Sequence, residues 1–148
     1  MERRQLLVTG LTAWVASAAP AANAALANPA NLQAAILAFT GGAAVQDGKV
    51  KLDISPLVEN GNTVPVTVSV PGLEATQVRR LALFTERNPQ PEVAVFQLGP
   101  LAGRAEVSTR MRLATSQTVV ALAQLADGSC WQQRLQVVVT LAACVEGG

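Results

Sequence analysis

Between Val64 and Val70 every second residue is valine, with Pro65, Thr67 and Ser69 in between. Successive side chains of a strand point to opposite faces, so this alternation gives one β-branched face and one small or polar face, the signature of a half-buried strand. Asn60-Gly61-Asn62 and Pro71-Gly72 bracket the run as turn signals, and Pro65, which has no N–H to donate, marks an edge or bulged strand. In Lys49–Ile54, Val50, Leu52 and Ile54 alternate with Lys49, Lys51 and Asp53. Further strand-like runs cover Val78–Phe84, Glu92–Leu98, Arg104–Leu113, Gln117–Ala126 and Cys130–Leu141, and Asp127-Gly128 between the last two predicts a tight hairpin. Aromatic residues make up only 3% of the chain and tyrosine is absent, so the core is expected to consist of small and β-branched side chains. About seven strands at regular spacing predict an all-β fold, an immunoglobulin-like antiparallel β-sandwich.

Ahead of the strands, residues 25–39 permit a helix. Leu32, Ile36, Leu37 and Phe39 form an apolar stripe after Asn28-Pro29, and Gly41-Gly42 is the expected stop. The first residues read as an address. Arg3-Arg4 immediately precedes an apolar, alanine-rich run from Leu6 to Ala19, and Ala22-Asn23-Ala24 supplies a small-x-small cleavage site, which together predict a twin-arginine signal peptide over 1–24 and a periplasmic mature protein. The apolar run is too short for a membrane span, is interrupted by Pro20 and is followed by no stop-transfer pattern. Cargo on this route commonly folds or assembles before export, so a co-exported partner subunit is expected. The mature chain divides into one domain, 25–141, and a C-terminal arm, 142–148.

Composition excludes several classes of function. The formal net charge is +1, and removal of Glu2, Arg3 and Arg4 leaves nine basic and nine acidic residues, so nothing draws the protein to nucleic acid or an anionic membrane. Histidine is absent, which removes the imidazole base, the Ser-His and Cys-His nucleophile pairs and the usual His-ligated metal sites. We therefore expect no enzyme, no cofactor and no metal. Arg79-Arg80 and Arg110/Arg112 read as solvated charge, with docking of an acidic partner as the functional alternative.

The remaining chemistry lies in two cysteines. In an oxidising compartment a Cys130–Cys144 disulfide is the default. One continuous strand between them would hold their sulfurs tens of ångströms apart, whereas a disulfide needs Cα atoms within about 7 Å. In that strand Trp131, Leu135, Val137, Val139 and Leu141 share the core face, and Cys130 lies on the other, beside the hairpin turn, as an ordinary strand residue. Cys144 follows the last apolar strand residue within Ala142-Ala143-Cys144-Val145-Glu146-Gly147-Gly148, a run of small residues without periodicity. A thiol on a flexible tail can enter a partner's active site carrying a tethered group. Alternatively it can bridge two chains by a disulfide, with the sandwich as a scaffold, and these residues alone leave the two nearly even. A thiol oxidoreductase lacks its Cys-x-x-Cys pair here.

Several landmarks together resemble the SoxY family, the sulfur-carrier subunits of the thiosulfate-oxidising Sox system. They are the twin-arginine signal, Phe39-Thr40-Gly41-Gly42 before Gly48-Lys49-Val50, Glu59-Asn60-Gly61-Asn62-Thr63-Val64-Pro65-Val66, Asn88-Pro89-Gln90-Pro91, Ser108-Thr109-Arg110-Met111-Arg112-Leu113-Ala114, Asp127-Gly128 and a valine-rich last strand running into the cysteine tail. The resemblance implies that Cys144 carries sulfur intermediates covalently, that a SoxAX-like haem transferase attaches thiosulfate, and that a SoxB-like hydrolase releases sulfate. It also implies a sulfane dehydrogenase in systems that contain one, and a heterodimer with a SoxZ-like β-sandwich subunit. The carrier itself catalyses nothing.

The family's arm is Gly-Gly-Cys-Gly-Gly. Here Ala142 and Ala143 replace the leading glycines, and Val145-Glu146 separate Cys144 from Gly147-Gly148. The added Cβ atoms hinder close approach in a narrow channel. Glu146 raises the thiol pKa and repels an anionic substrate. These changes predict a SoxY-like paralogue with altered partners or reduced carrier activity.

Overall fold

The computed structural model describes residues 29–143, so the signal peptide read over 1–24 and Cys144 to Gly148 lie outside the described residues. The predicted helix is α1 (Pro29–Thr40); it stops at Gly41 and Gly42, both in the left-handed region with φ of 64° and 91°. Among the described residues nine strands follow: β1 (Val45–Asp47), β2 (Lys51–Asp53), β3 (Leu57–Asn60), β4 (Val64–Glu74), β5 (Val78–Thr85), β6 (Glu92–Gln97), β7 (Arg104–Met111), β8 (Gln117–Leu125) and β9 (Cys130–Leu141). One sheet has the order β1-β9-β8-β5-β6 with β3 also beside β9, and the facing sheet is β2-β4-β7. The all-β sandwich with its short N-terminal helix is as expected.

Two features correct the sequence reading. β1 and β3 were not among the predicted strands, and both pair in parallel with β9, along Cys130–Gln132 and Val138–Leu141 respectively, so the sandwich is mixed rather than wholly antiparallel. With three and four residues, they are too short to show a period. Between them the chain crosses to the other sheet as β2, and the Leu52 N–H donates to the Gln133 Oε1 of β9 at 2.6 Å, tying the two sheets at this edge.

β4 places Val64, Val66, Val68 and Val70 in the core against Leu81, Leu83, Val119, Ala121, Ala123 and Val137, all buried. Burying each valine or leucine side chain stabilises the fold by about 1.5–3 kcal/mol. Pro65 pairs with Arg110 of β7, and on the other flank β2 has already ended, with Asp53 opposite Thr67; β4 is an open edge where the proline stands. β4 also continues past Pro71-Gly72 through a register shift that brings Glu74 opposite Arg104.

β5 and β8 do not alternate because both of their faces are covered. α1 lays Leu32, Ile36 and Phe39 over Ala82, Phe84, Val120 and Leu122, on the side away from the other sheet. Phe39 and Phe84 meet edge to face at 5.8 Å. Arg80 fixes the end of the helix: its guanidinium lies 4.4 Å from the Phe39 ring, donates to the Phe39 carbonyl at 2.8 Å, and reaches the Gln124 Oε1 from Nε and Nη2. Arg80 is thus a structural clamp rather than solvated charge, whereas Arg79, Arg110 and Arg112 are exposed as read.

Candidate functional site at the base of the chain end

β9 runs the length of the large sheet and delivers the chain to a backbone junction built by three segments. Past Glu59 the chain turns through Asn60-Gly61-Asn62, with the Asn60 Oδ1 accepting from the Asn62 N–H at 3.0 Å. There the Gly61 N–H donates to the Leu141 carbonyl (2.8 Å) and the Gly61 carbonyl accepts from the Leu113 N–H (2.8 Å). The Leu113 carbonyl in turn accepts from the Ala143 N–H (3.0 Å). Leu113 is fully buried, and Gly61 and Ala143 are buried with it.

Glycine at 61 is required by this closeness and not by backbone dihedrals, since its φ lies outside the left-handed region. A Cβ built on it would stand 2.5 Å from the Leu113 carbonyl oxygen and 3.0 Å from both the Ala143 nitrogen and the Val139 Cγ1. The turn Asn60-Gly61-Asn62 is legible in the sequence; that its glycine meets the other end of the chain is not.

A second layer holds Leu113. The Asn88 side chain brackets it, donating from Nδ2 to the Arg112 carbonyl (2.8 Å) and accepting at Oδ1 from the Ala114 N–H (3.0 Å). Gln117 is fully buried and donates from Nε2 to the Asn88 Oδ1 (2.8 Å) and the Thr115 carbonyl (3.0 Å), while its Oε1 accepts from the Arg87 N–H (2.7 Å). Ser116 Oγ accepts from the Val139 N–H at 2.8 Å. Every one of these side-chain polar groups has a hydrogen-bond partner.

Among the described residues, β9 ends at Leu141 as predicted, and Ala143 beyond it is still hydrogen-bonded to the fold. Of the proposed arm residues, Ala142 is exposed and Ala143 is buried; Cys144, Val145, Glu146, Gly147 and Gly148 lie outside the described residues.

Cys130, at the far end of β9, is fully buried, with its Sγ 3.9 Å from the Gly128 carbonyl. Burial pushes its thiol pKa up, partly opposed by the nearby Arg80 guanidinium. It lies on the face away from Trp131, as the alternation predicts, and is covered completely rather than partly. Cys130 and Leu141 stand at opposite ends of the 12-residue β9, roughly 36 Å apart at about 3.3 Å per residue.

Beside the junction, the open flank of β4 and the edge of β3 frame a groove of about 470 Å³ over Ile54, Val58, Val64 and Val66. Among the described residues its only charged lining side chains are Asp53 and Glu59, a lining that repels a sulfur oxyanion. Among the described residues no cluster of three His, Cys, Asp or Glu side chains could hold a metal ion.

The described chain is a mixed β-sandwich with a helix over one face, and its last strand leads into the junction of Gly61, Leu113 and Ala143. The family model of sulfur oxidation protein SoxY matches residues 36–144, and the chain belongs to the SoxY family. The structure of the sulfur carrier protein SoxY from Chlorobium limicola f thiosulfatophilum is similar at 31% identity and a TM-score of 0.64, covering 76% of this chain and 98% of that one. A superoxide reductase (neelaredoxin) from Ignicoccus hospitalis shares the fold at 18% identity and a TM-score of 0.54, covering 62% of this chain and 80% of that one. A superoxide reductase from Nanoarchaeum equitans does so at 10% identity and a TM-score of 0.50, covering 64% of this chain and all of that one. At such identities the likeness to the reductases is one of fold alone. No curated protein sequence matches the chain.

Proposed function

We propose that this SoxY-family protein carries sulfur intermediates covalently on Cys144 during periplasmic thiosulfate oxidation. The observation that carries this reading is the junction of Gly61, Leu113 and Ala143, which fixes the chain immediately before the cysteine. Loading joins the Cys144 thiol to the sulfane sulfur of thiosulfate, giving cysteine S-thiosulfonate with loss of one proton and two electrons, and a SoxAX-like haem transferase accepts the electrons. Water then cleaves the sulfur–sulfonate bond at a SoxB-like hydrolase, releasing sulfate and two protons and leaving a cysteine persulfide anion. A sulfane dehydrogenase oxidises that sulfur where the system contains one. The sandwich supplies presentation and the partners supply catalysis.

Export through the Arg3-Arg4 signal, after assembly with a SoxZ-like subunit, completes the reading. Leu57 and Val138, paired across β3 and β9, are exposed at 57% and 48%, which supports a protein partner on this face of the sheet. Thiosulfate added to transferase and this protein is expected to reduce the haem in proportion to the protein supplied, as followed by absorbance. If Cys144→Ser supports the same reduction, the electrons come from elsewhere and the carrier reading fails.

A further inference from the structure

We propose that Gly61 is a positioning residue for the carrier thiol, acting through Leu113 to fix the point from which Cys144 is presented. This rests on the carrier reading above. Gly61 touches neither substrate nor cysteine, but its two backbone hydrogen bonds join Leu141 to Leu113, and Leu113 holds Ala143. One peptide bond separates Ala143 from the thiol-bearing residue.

Any side chain at 61 breaks this arrangement. The atoms that a Cβ would meet are the Leu113 carbonyl oxygen at 2.5 Å and the Ala143 nitrogen at 3.0 Å, the acceptor and donor of the bond that ends the described chain. Both are backbone atoms and cannot rotate aside as a side-chain tip would. Gly61→Ala must therefore push the chain end away from Leu113. Asn88 offers an independent route to the same junction, because its carboxamide fixes the backbone on both sides of Leu113.

The test compares wild type, Gly61→Ala, Asn88→Ala and Val120→Ala, the last weakening the distant α1 layer. Three rates are measured well below each melting temperature: amide hydrogen exchange at Ala143, alkylation of Cys144 by iodoacetamide, and thiosulfate loading by a SoxAX-like transferase. In Gly61→Ala the Ala143 amide is expected to exchange faster and loading to fall about tenfold or more, while alkylation, which needs no docking, changes less than about twofold. Asn88→Ala shows the same pattern more weakly, and covers the case in which Gly61→Ala fails to fold. Val120→Ala melts lower but loads at the wild-type rate. Wild-type loading by both junction variants, or an equal loss in Val120→Ala, overturns the positioning role and leaves the carrier reading standing. A wild-type protein that accepts no thiosulfate ends both.

Discussion

Gln117 donates from its carboxamide to that of Asn88 at 2.8 Å beside Leu113, the residue that bonds Ala143. Each amide also bonds backbone in the loop between β7 and β8, and Gln117 reaches the Arg87 N–H in the loop between β5 and β6. Gln117→Leu keeps the volume but takes from the Arg87 N–H and the Thr115 carbonyl the partner that Gln117 gives them, and from the Asn88 Oδ1 one of its two donors. It is expected to destabilise the protein by about 1–3 kcal/mol, read from the urea midpoint at unchanged slope. A midpoint equal to wild type would mean that water replaces Gln117 without loss.

The two cysteines are expected to differ in reactivity. Cys130 is buried and its pKa is raised, so at pH 8 an alkylating reagent should modify one thiol per native chain, at Cys144, and both only in denaturant. A group with a raised folded-state pKa contributes stability below its unfolded pKa and loses it as pH rises. The fold should therefore weaken above about pH 9, and Cys130→Ala should flatten that alkaline limb. Rapid native alkylation of Cys130 would contradict its burial.

The layer under α1 should account for much of the stability. Phe84 is fully buried beneath Phe39, and Phe84→Ala is expected to cost about 3–5 kcal/mol by chemical denaturation. Arg80→Met removes the bonds to the Phe39 carbonyl and Gln124 while keeping the stem, and should increase amide exchange at the end of α1 without reaching the loss seen in Phe84→Ala.

The altered arm gives a separate expectation. Ala142→Gly, Ala143→Gly with Val145-Glu146 deleted restores the family's glycine arm and removes an acidic neighbour of the thiol. Transferase-dependent loading should become faster. Loading no faster than wild type would show that neither bulk nor charge in the arm limits transfer.

Much of the fold was legible because its long strands repeat every second residue. Val64 to Val70 and the Asp127-Gly128 hairpin appear where the pattern puts them, with Ser129 closing onto the Asp127 Oδ1 at 2.6 Å. What was not legible depends on contacts between distant segments. β1 and β3 exist because β9 offers them an open edge, and Arg80 reads as surface charge until α1 lies across it. Cys144 stands out by its place after the last strand. Gly61 reads as an ordinary turn glycine, and the hydrogen bond that ties Ala143 down carries no sequence signal.

The most direct test of the account is the intact mass of the mature protein, taken before and after treatment with thiosulfate and a SoxAX-like transferase, with Cys144→Ser in parallel. The account predicts that one thiosulfate is gained per chain, that reductant removes it, and that the serine variant gains none. A thiol that stays unmodified, or a disulfide-linked dimer as the only product, would contradict the carrier role and leave a degenerate paralogue or a scaffold.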